Sequence, residues 1–140
     1  MNKGLSKVLH FSKVFSVFIS DHPTTNIPQD IKSLRESLMR EELEEVIEAM
    51  DEGDILHLSK ELSDLIYVVY GTIIAYGLQD KFDDIFSITH ESNMSKLDSD
   101  GNVILRDDGK VLKFNTDIVE KNKSTIKSKD RINVRYDSIV

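Results

Sequence analysis

REELEEVIEAMDEGD, residues 40–54, carries six Glu, two Asp and a single Arg. The same stretch holds Leu43, Val46, Ile47 and Met50. Its apolar positions recur at helical spacing, and Gly53 supplies a natural helix end. The segment is therefore a helix, and its acids are either solvated or deliberately turned inward. Pro28, behind Asn26, suits a first-turn position, so this second helix is predicted over 28–52.

Working outward, Leu5, Val8, Leu9, Phe11, Phe15, Phe18 and Ile19 predict a first helix over 4–19. DHPTTN breaks it. Asp54 can cap a third helix, which continues through DLIYVVYGTIIAYG to Gly77. A fourth helix is expected over 81–92. After it the period changes: VIL and VLK flank RDDGK, which signals a small β-hairpin over 102–114. The expected fold is all-α, an antiparallel bundle of about four helices with a C-terminal hairpin. Residues 1–117 read as one domain and 118–140 as a polar basic tail.

Composition narrows the function classes. The 140 residues carry a net charge of −7, with 39% hydrophobic content. That is a globular composition, and it argues against simple nucleic-acid binding. No apolar run reaches about 18 residues, and no secretory signal layout is present, so a cytoplasmic protein is expected with no membrane partner. The absence of Cys excludes disulfides, thiolate metal sites and a Cys nucleophile. The acid is concentrated: residues 36–64 hold eleven acidic side chains against Arg40 and Lys60.

At about 100° per residue, Glu42 and Glu45 fall within about 40° of Leu38, inside the apolar stripe of helix two. Ile31, Leu34, Arg35 and Ala49 share that stripe. Glu41 sits at its edge, whereas Glu44 and Glu48 face away and read as solvated, as do Asp51 and Glu52. On helix three, Glu61 is central to the face made by Leu58, Leu65, Val68 and Thr72, and Asp64 borders it. Each helix thus carries an acid-x-x-acid pair, and residues three apart are neighbours on a helix. Packed antiparallel, the pairs would gather up to four carboxylates. Desolvation and mutual repulsion oppose that unless protons, basic partners or divalent cations compensate. Oxygen-only ligands favour Mg²⁺ and then Mn²⁺ among cations, while spacing alone leaves the solvated reading open.

With Glu42 and Glu45, fifteen residues, then Glu61 and Asp64, the chain resembles the all-α NTP pyrophosphatases. These include the MazG-like proteins, dimeric dUTPase-like enzymes and phosphoribosyl-ATP pyrophosphohydrolases. LRESLMREELEEVIEA, KELSDLIYVVYGT and HESNMSKLDSDGNVILRDDGKVLK carry the likeness over about residues 8–114. The resemblance implies hydrolysis of a nucleoside triphosphate to a monophosphate and pyrophosphate. It implies Mg²⁺, with Mn²⁺ as a substitute, held by Glu42, Glu45, Glu61 and Asp64. Glu41 would orient or deprotonate the attacking water. Asn93 and Lys96 of SNMSK would contact the nucleotide or its phosphates, as would Arg35; the plain alternatives are a helix C-cap for Asn93 and a solvated lysine for Lys96.

The chain departs from the family at His10-Phe11, where a Phe-His pair is usual, which bears on base recognition. Tyr67, Tyr70 and Phe86 read as core. The expected substrate is dUTP, dCTP or a non-standard nucleotide, with phosphoribosyl-ATP as the rival. A di-iron bundle wants Glu-x-x-His twice and finds it nowhere here. A non-catalytic acidic helical module is the reading of another class. The strongly apolar third helix also predicts a homodimer or higher homo-oligomer.

Overall fold

Asn2 begins the first helix by accepting a hydrogen bond from the Leu5 backbone N–H at 2.8 Å. In the computed structural model, described over residues 1–94, 97, 100–103, 105 and 107–109, four helices follow in order. They are α1 (Lys3–Val14), α2 (Gln29–Glu52), α3 (Ile55–Ala75) and α4 (Phe82–Met94). The all-α class expected from the sequence is the one observed. The chain divides into two compact units, Met1–Phe82 and Asp83–Val140.

In the first unit, α3 packs against both α1 and α2. The core is Leu5 and Val8 of α1 with Ile73 and Ile74 of α3, closed by Leu9, Ile19, Tyr70, Leu78 and Phe82. Leu5 and Ile74 are fully buried. The connection from α1 to α2 is tied to the end of α3. Ser20 N–H donates to the Ile74 carbonyl at 3.2 Å and Thr24 N–H to the Tyr76 carbonyl at 3.1 Å. The Ser20 hydroxyl donates to the Ala75 carbonyl at 2.8 Å. These bonds satisfy the carbonyls that a helix end leaves without partners. Gly77, at φ 70, sits against the His22 carbonyl, where a Cβ would collide with backbone.

Two local signals were read correctly from the sequence. Gly53 ends α2 in the left-handed conformation at φ 73. Asp54 caps α3, accepting from the Leu56 and His57 backbone N–H groups at 2.9 and 3.4 Å. Other readings need correction. Helix one ends at Val14 rather than at 19, because Ser16 takes φ 55 and turns the chain out of the helical path. Pro28 is the N-cap of α2 rather than a first-turn residue. Phe86 is 64% exposed and so does not belong to a core. Tyr67 is 40% exposed and makes an edge contact with Phe11, with ring centroids 5.7 Å apart. Tyr70 alone of the three joins the core.

The second unit opens with α4, whose first turn carries Asp83 and Asp84, favourably placed for the helix dipole. The expected hairpin over 102–114 is not supported. Most of it, like the basic tail at 118–140, lies outside the described residues, and those described show an antiparallel bridge between Leu97 and Val103 but no strand.

Candidate active site

The antiparallel course of α2 and α3 follows from two contacts far apart along them. Arg35 of α2 lies against Gly71 of α3, whereas Glu42 and Glu45 lie against Glu61. Between these helices Glu42, Glu45 and Glu61 each present a carboxylate oxygen, all within 4.8 Å of one another. Glu61 is only 3% exposed. From Ile55 to Tyr70 it is the one buried residue, an acid where the period of the helix would place an aliphatic. On α2 the neighbouring buried positions are Val46 and Ala49, so the cluster runs from an apolar layer at Glu61 outward to Glu45 at the surface.

Compensation for this crowding comes from two basic side chains of α3. Lys60 Nζ donates to both Glu61 oxygens at 2.9 and 3.1 Å and to Asp64 Oδ2 at 3.0 Å. His57 lies between two acids, with Nδ1 2.6 Å from Glu52 and Nε2 3.0 Å from Glu61. The bond from Lys60 holds the Glu61 carboxyl below the usual range. The bond to Glu52 raises the His57 imidazole, and the bond to Glu61 raises the Lys60 ammonium.

On the α2 side the charge of Lys60 is outweighed. Burial, then the charges of Asp64, Glu41 and Glu61, push the Glu42 carboxyl up. A hydrogen bond with Glu61 keeps a proton on Glu45 to higher pH. Glu42 Oε2 is buried with no hydrogen-bond partner. An orphaned buried oxygen is costly, and here it belongs to a carboxylate grouped with two others. That donor set of hard oxygens suits a divalent cation.

The remaining residues singled out by sequence are distributed as follows. Asp64 lies outside the triad, with its side chain 44% exposed and held by Lys60. Glu41 is exposed, beside Glu42. Arg35 is half-buried on the same face of α2. Asn93 lies in α4, in the second unit, and Lys96 lies outside the described residues. His10 is exposed. Sequence reasoning missed Lys60 and His57 as members of the site. Their signal was present in spacing, since His57 precedes Glu61 and Lys60 precedes Asp64 by four residues, one helical turn.

The phosphoribosyl-ATP pyrophosphohydrolase family model matches residues 8–93, which spans α2, α3 and every carboxylate just described. The chain belongs to this family. Comparison with the curated proteins gives no match. This pyrophosphohydrolase is thus a hydrolase of a phosphoanhydride bond, a nucleoside triphosphate pyrophosphatase of the MazG-like superfamily. The non-catalytic module left open by composition is set aside. Pyrophosphohydrolases of this family typically use a divalent metal, and Glu42, Glu45 and Glu61 fit one, Glu42 carrying an unpartnered buried oxygen. Among the described residues no helix is long and apolar enough to cross a membrane.

The directions of these shifts set a pH dependence. Glu42 and Glu45 are both raised above the ordinary value of 4.5, so their protons compete with a cation as pH falls toward that value. Calorimetric titration with Mn²⁺ should show affinity falling from pH 7.5 to pH 5 with proton release on binding. The sign for the metal-free fold is opposite: stability owed to these two groups is greatest below 4.5 and is lost as pH rises through their raised values. An affinity flat across this range would contradict the assignment.

Proposed function

We propose that the protein is a Mg²⁺-dependent nucleoside triphosphate pyrophosphohydrolase that removes dUTP, dCTP or a non-standard nucleotide, with Mn²⁺ able to replace Mg²⁺. The observation that carries this reading is the carboxylate of Glu42, grouped with those of Glu45 and Glu61 and carrying a buried, partnerless Oε2. Glu42, Glu45 and Glu61 hold the metal, and Asp64, now engaged by Lys60, is the fourth ligand. When bound, the metal neutralises charge between these carboxylates and the phosphates and polarises the bond under attack.

The chain's own residues do the rest. Glu41, exposed beside the cluster, orients the attacking water and accepts its proton. The water oxygen forms the new bond to phosphorus, the bridging phosphoanhydride bond breaks, and pyrophosphate leaves. Arg35 contacts the nucleotide or its phosphates. The family match favours a second reading, phosphoribosyl-ATP as the substrate in histidine biosynthesis. Pyrophosphate release should be measured over ribo- and deoxynucleoside triphosphates and phosphoribosyl-ATP, with Mg²⁺ and with EDTA. Metal-dependent release favouring dUTP or dCTP supports the first reading. Preference for phosphoribosyl-ATP supports the second, and no release from any of them overturns both.

A homodimer completes the proposal. Leu43, Ile47 and Met50 of α2 are 49%, 52% and 63% exposed, and Leu62 and Ile66 of α3 are 43% and 52% exposed. In an antiparallel pair these two sets, turned by similar angles from the shared inner face, come out on one side. Such an apolar patch marks an interface. Sedimentation should give a dimer for the wild type and a monomer for Ile66→Glu, and a monomeric wild type would refute the interface.

A further inference from the structure

Lys60 carries an ammonium bonded to three carboxylate oxygens at once. Nζ donates to Glu61 Oε1 at 2.9 Å, to Glu61 Oε2 at 3.1 Å and to Asp64 Oδ2 at 3.0 Å, matching the three donors that an ammonium has. An i,i+4 pair such as Lys60 with Asp64 is common on a solvated helix face and is worth little. What sets this one apart is its other acceptor. Glu61 is buried and is one of the three carboxylates that converge within 4.8 Å.

Both oxygens of Glu61 are thus engaged by bases. Oε1 takes Lys60 and also lies 3.0 Å from His57 Nε2, and Oε2 takes Lys60. A divalent ion drawn in by Glu42 and Glu45 needs a lone pair of Glu61, and there it meets an ammonium within hydrogen-bond distance of both oxygens. Like charges that close repel, the more so where burial weakens screening. Of the two bases, Lys60 is the one with a way out. Its side chain is unbranched and 64% exposed, against 38% for His57, whose Nδ1 is tied to Glu52 at 2.6 Å. Its departure also releases Asp64, the acid that the structure keeps outside the triad. Asp64 is three residues beyond Glu61 and so its neighbour on the helix surface, free at that point to turn toward an ion on Glu61.

We propose that Lys60 is a displaceable counter-cation: a divalent ion entering the Glu42, Glu45 and Glu61 cluster expels the ammonium from Glu61, and the same movement hands Asp64 to the ion. This rests on the metal-dependent reading above and adds to it the residue that sets how tightly, and in what order, the carboxylates take the ion. Lys60 is a positioning residue, acting on the ligands. The exchange also favours charge: a monovalent ion gains little by replacing a charge equal to its own, whereas a divalent ion puts two charges where one stood.

The test uses the full chain, as wild type and as Lys60→Met, which nearly keeps the length of the side chain and removes its charge. The wild type is acetylated briefly with limiting acetic anhydride, with and without saturating Mg²⁺, and each lysine is read by mass spectrometry. Exposed Lys13 of α1 serves as the internal reference. An ammonium held by three oxygens gives up its proton late and reacts slowly, so Mg²⁺ should raise the labelling of Lys60 relative to Lys13 by about threefold or more. Calorimetry should show Mn²⁺ binding about 10-fold more tightly to Lys60→Met, the scale of one charge-assisted hydrogen bond that no longer has to be displaced. By linkage, a fixed concentration of Mg²⁺ should raise the melting temperature of the variant more than that of the wild type. Unchanged labelling of Lys60 at saturating Mg²⁺ overturns the proposal, because the ammonium then keeps its place beside the ion, even where the variant binds more tightly through loss of charge alone. This arm needs no substitution, so it decides the matter even for a variant that fails to fold. An Mn²⁺ affinity of Lys60→Met equal to or weaker than that of the wild type overturns it as well. Either result, beside a wild type that binds Mn²⁺ and releases pyrophosphate, sinks this proposal alone. A wild type that binds neither ion and releases no pyrophosphate sinks the parent reading with it.

Discussion

Glu42→Gln is expected to reduce metal-dependent pyrophosphate release by about 1,000-fold or more, the scale of several kcal/mol of lost transition-state stabilisation. The reasoning begins with Oε2 of Glu42, buried and without a partner. A carboxylate in that state is tolerated only where something else uses it. Glutamine keeps the volume and removes the charge, so it deletes the proposed metal ligand without opening a cavity. It also removes a repulsion, since Asp64, Glu41 and Glu61 all push the Glu42 carboxyl up. The metal-free variant should therefore melt at or above the wild-type temperature. The two readouts must diverge: activity collapses while the fold holds. An enzyme keeping more than a tenth of its activity would show that Glu42 does not hold the metal.

The largest loss of stability is expected for Ile74→Ala, about 2–5 kcal/mol. Ile74 is fully buried and packs in the cluster with Leu5, Val8 and Ile73. Truncation removes apolar atoms from water-free contact and leaves a void bounded by two helices. The backbone there has little freedom to collapse, because the Ile74 carbonyl also accepts from Ser20 N–H at 3.2 Å and Gly77 N–H at 3.0 Å. Against a total stability of about 5–15 kcal/mol for a domain, that loss should lower the midpoint of urea unfolding by a large fraction. A midpoint shift worth under about 1 kcal/mol would mean that this core is looser than its burial indicates.

The parts of the site legible in the sequence were those set by helical period. Glu42, Glu45 and Glu61 fall on the inner faces of α2 and α3, and the structure gathers them within 4.8 Å. Gly53 and Asp54 announced the break between the helices through backbone chemistry that needs no tertiary context. What period cannot give is the course of a long side chain. Lys60 and Arg35 are both flexible cations, yet one folds along its own helix to Glu61 and Asp64 while the other crosses to settle against a glycine of α3. Asp64 borders the apolar face on the wheel, but Lys60 claims it. The end of α1 was misjudged because apolar residues continue past Val14 in a segment whose backbone, at Ser16, has already left the helix. Phe86 looked like core by residue type, and type alone does not report which face a short helix turns to water.

The ion pairs of Lys60 and His57 with Glu61 imply an order of assembly. Small zinc modules acquire their fold and their ion in one event, because nothing else holds their ligands together. Here the most buried acid of the site already has tethered cations from its own helix, and α3 is anchored by a core at its other end. The fold is therefore expected to stand before a divalent ion is loaded, so a chelator should abolish metal-dependent activity without unfolding the chain, and added Mg²⁺ should restore it without refolding.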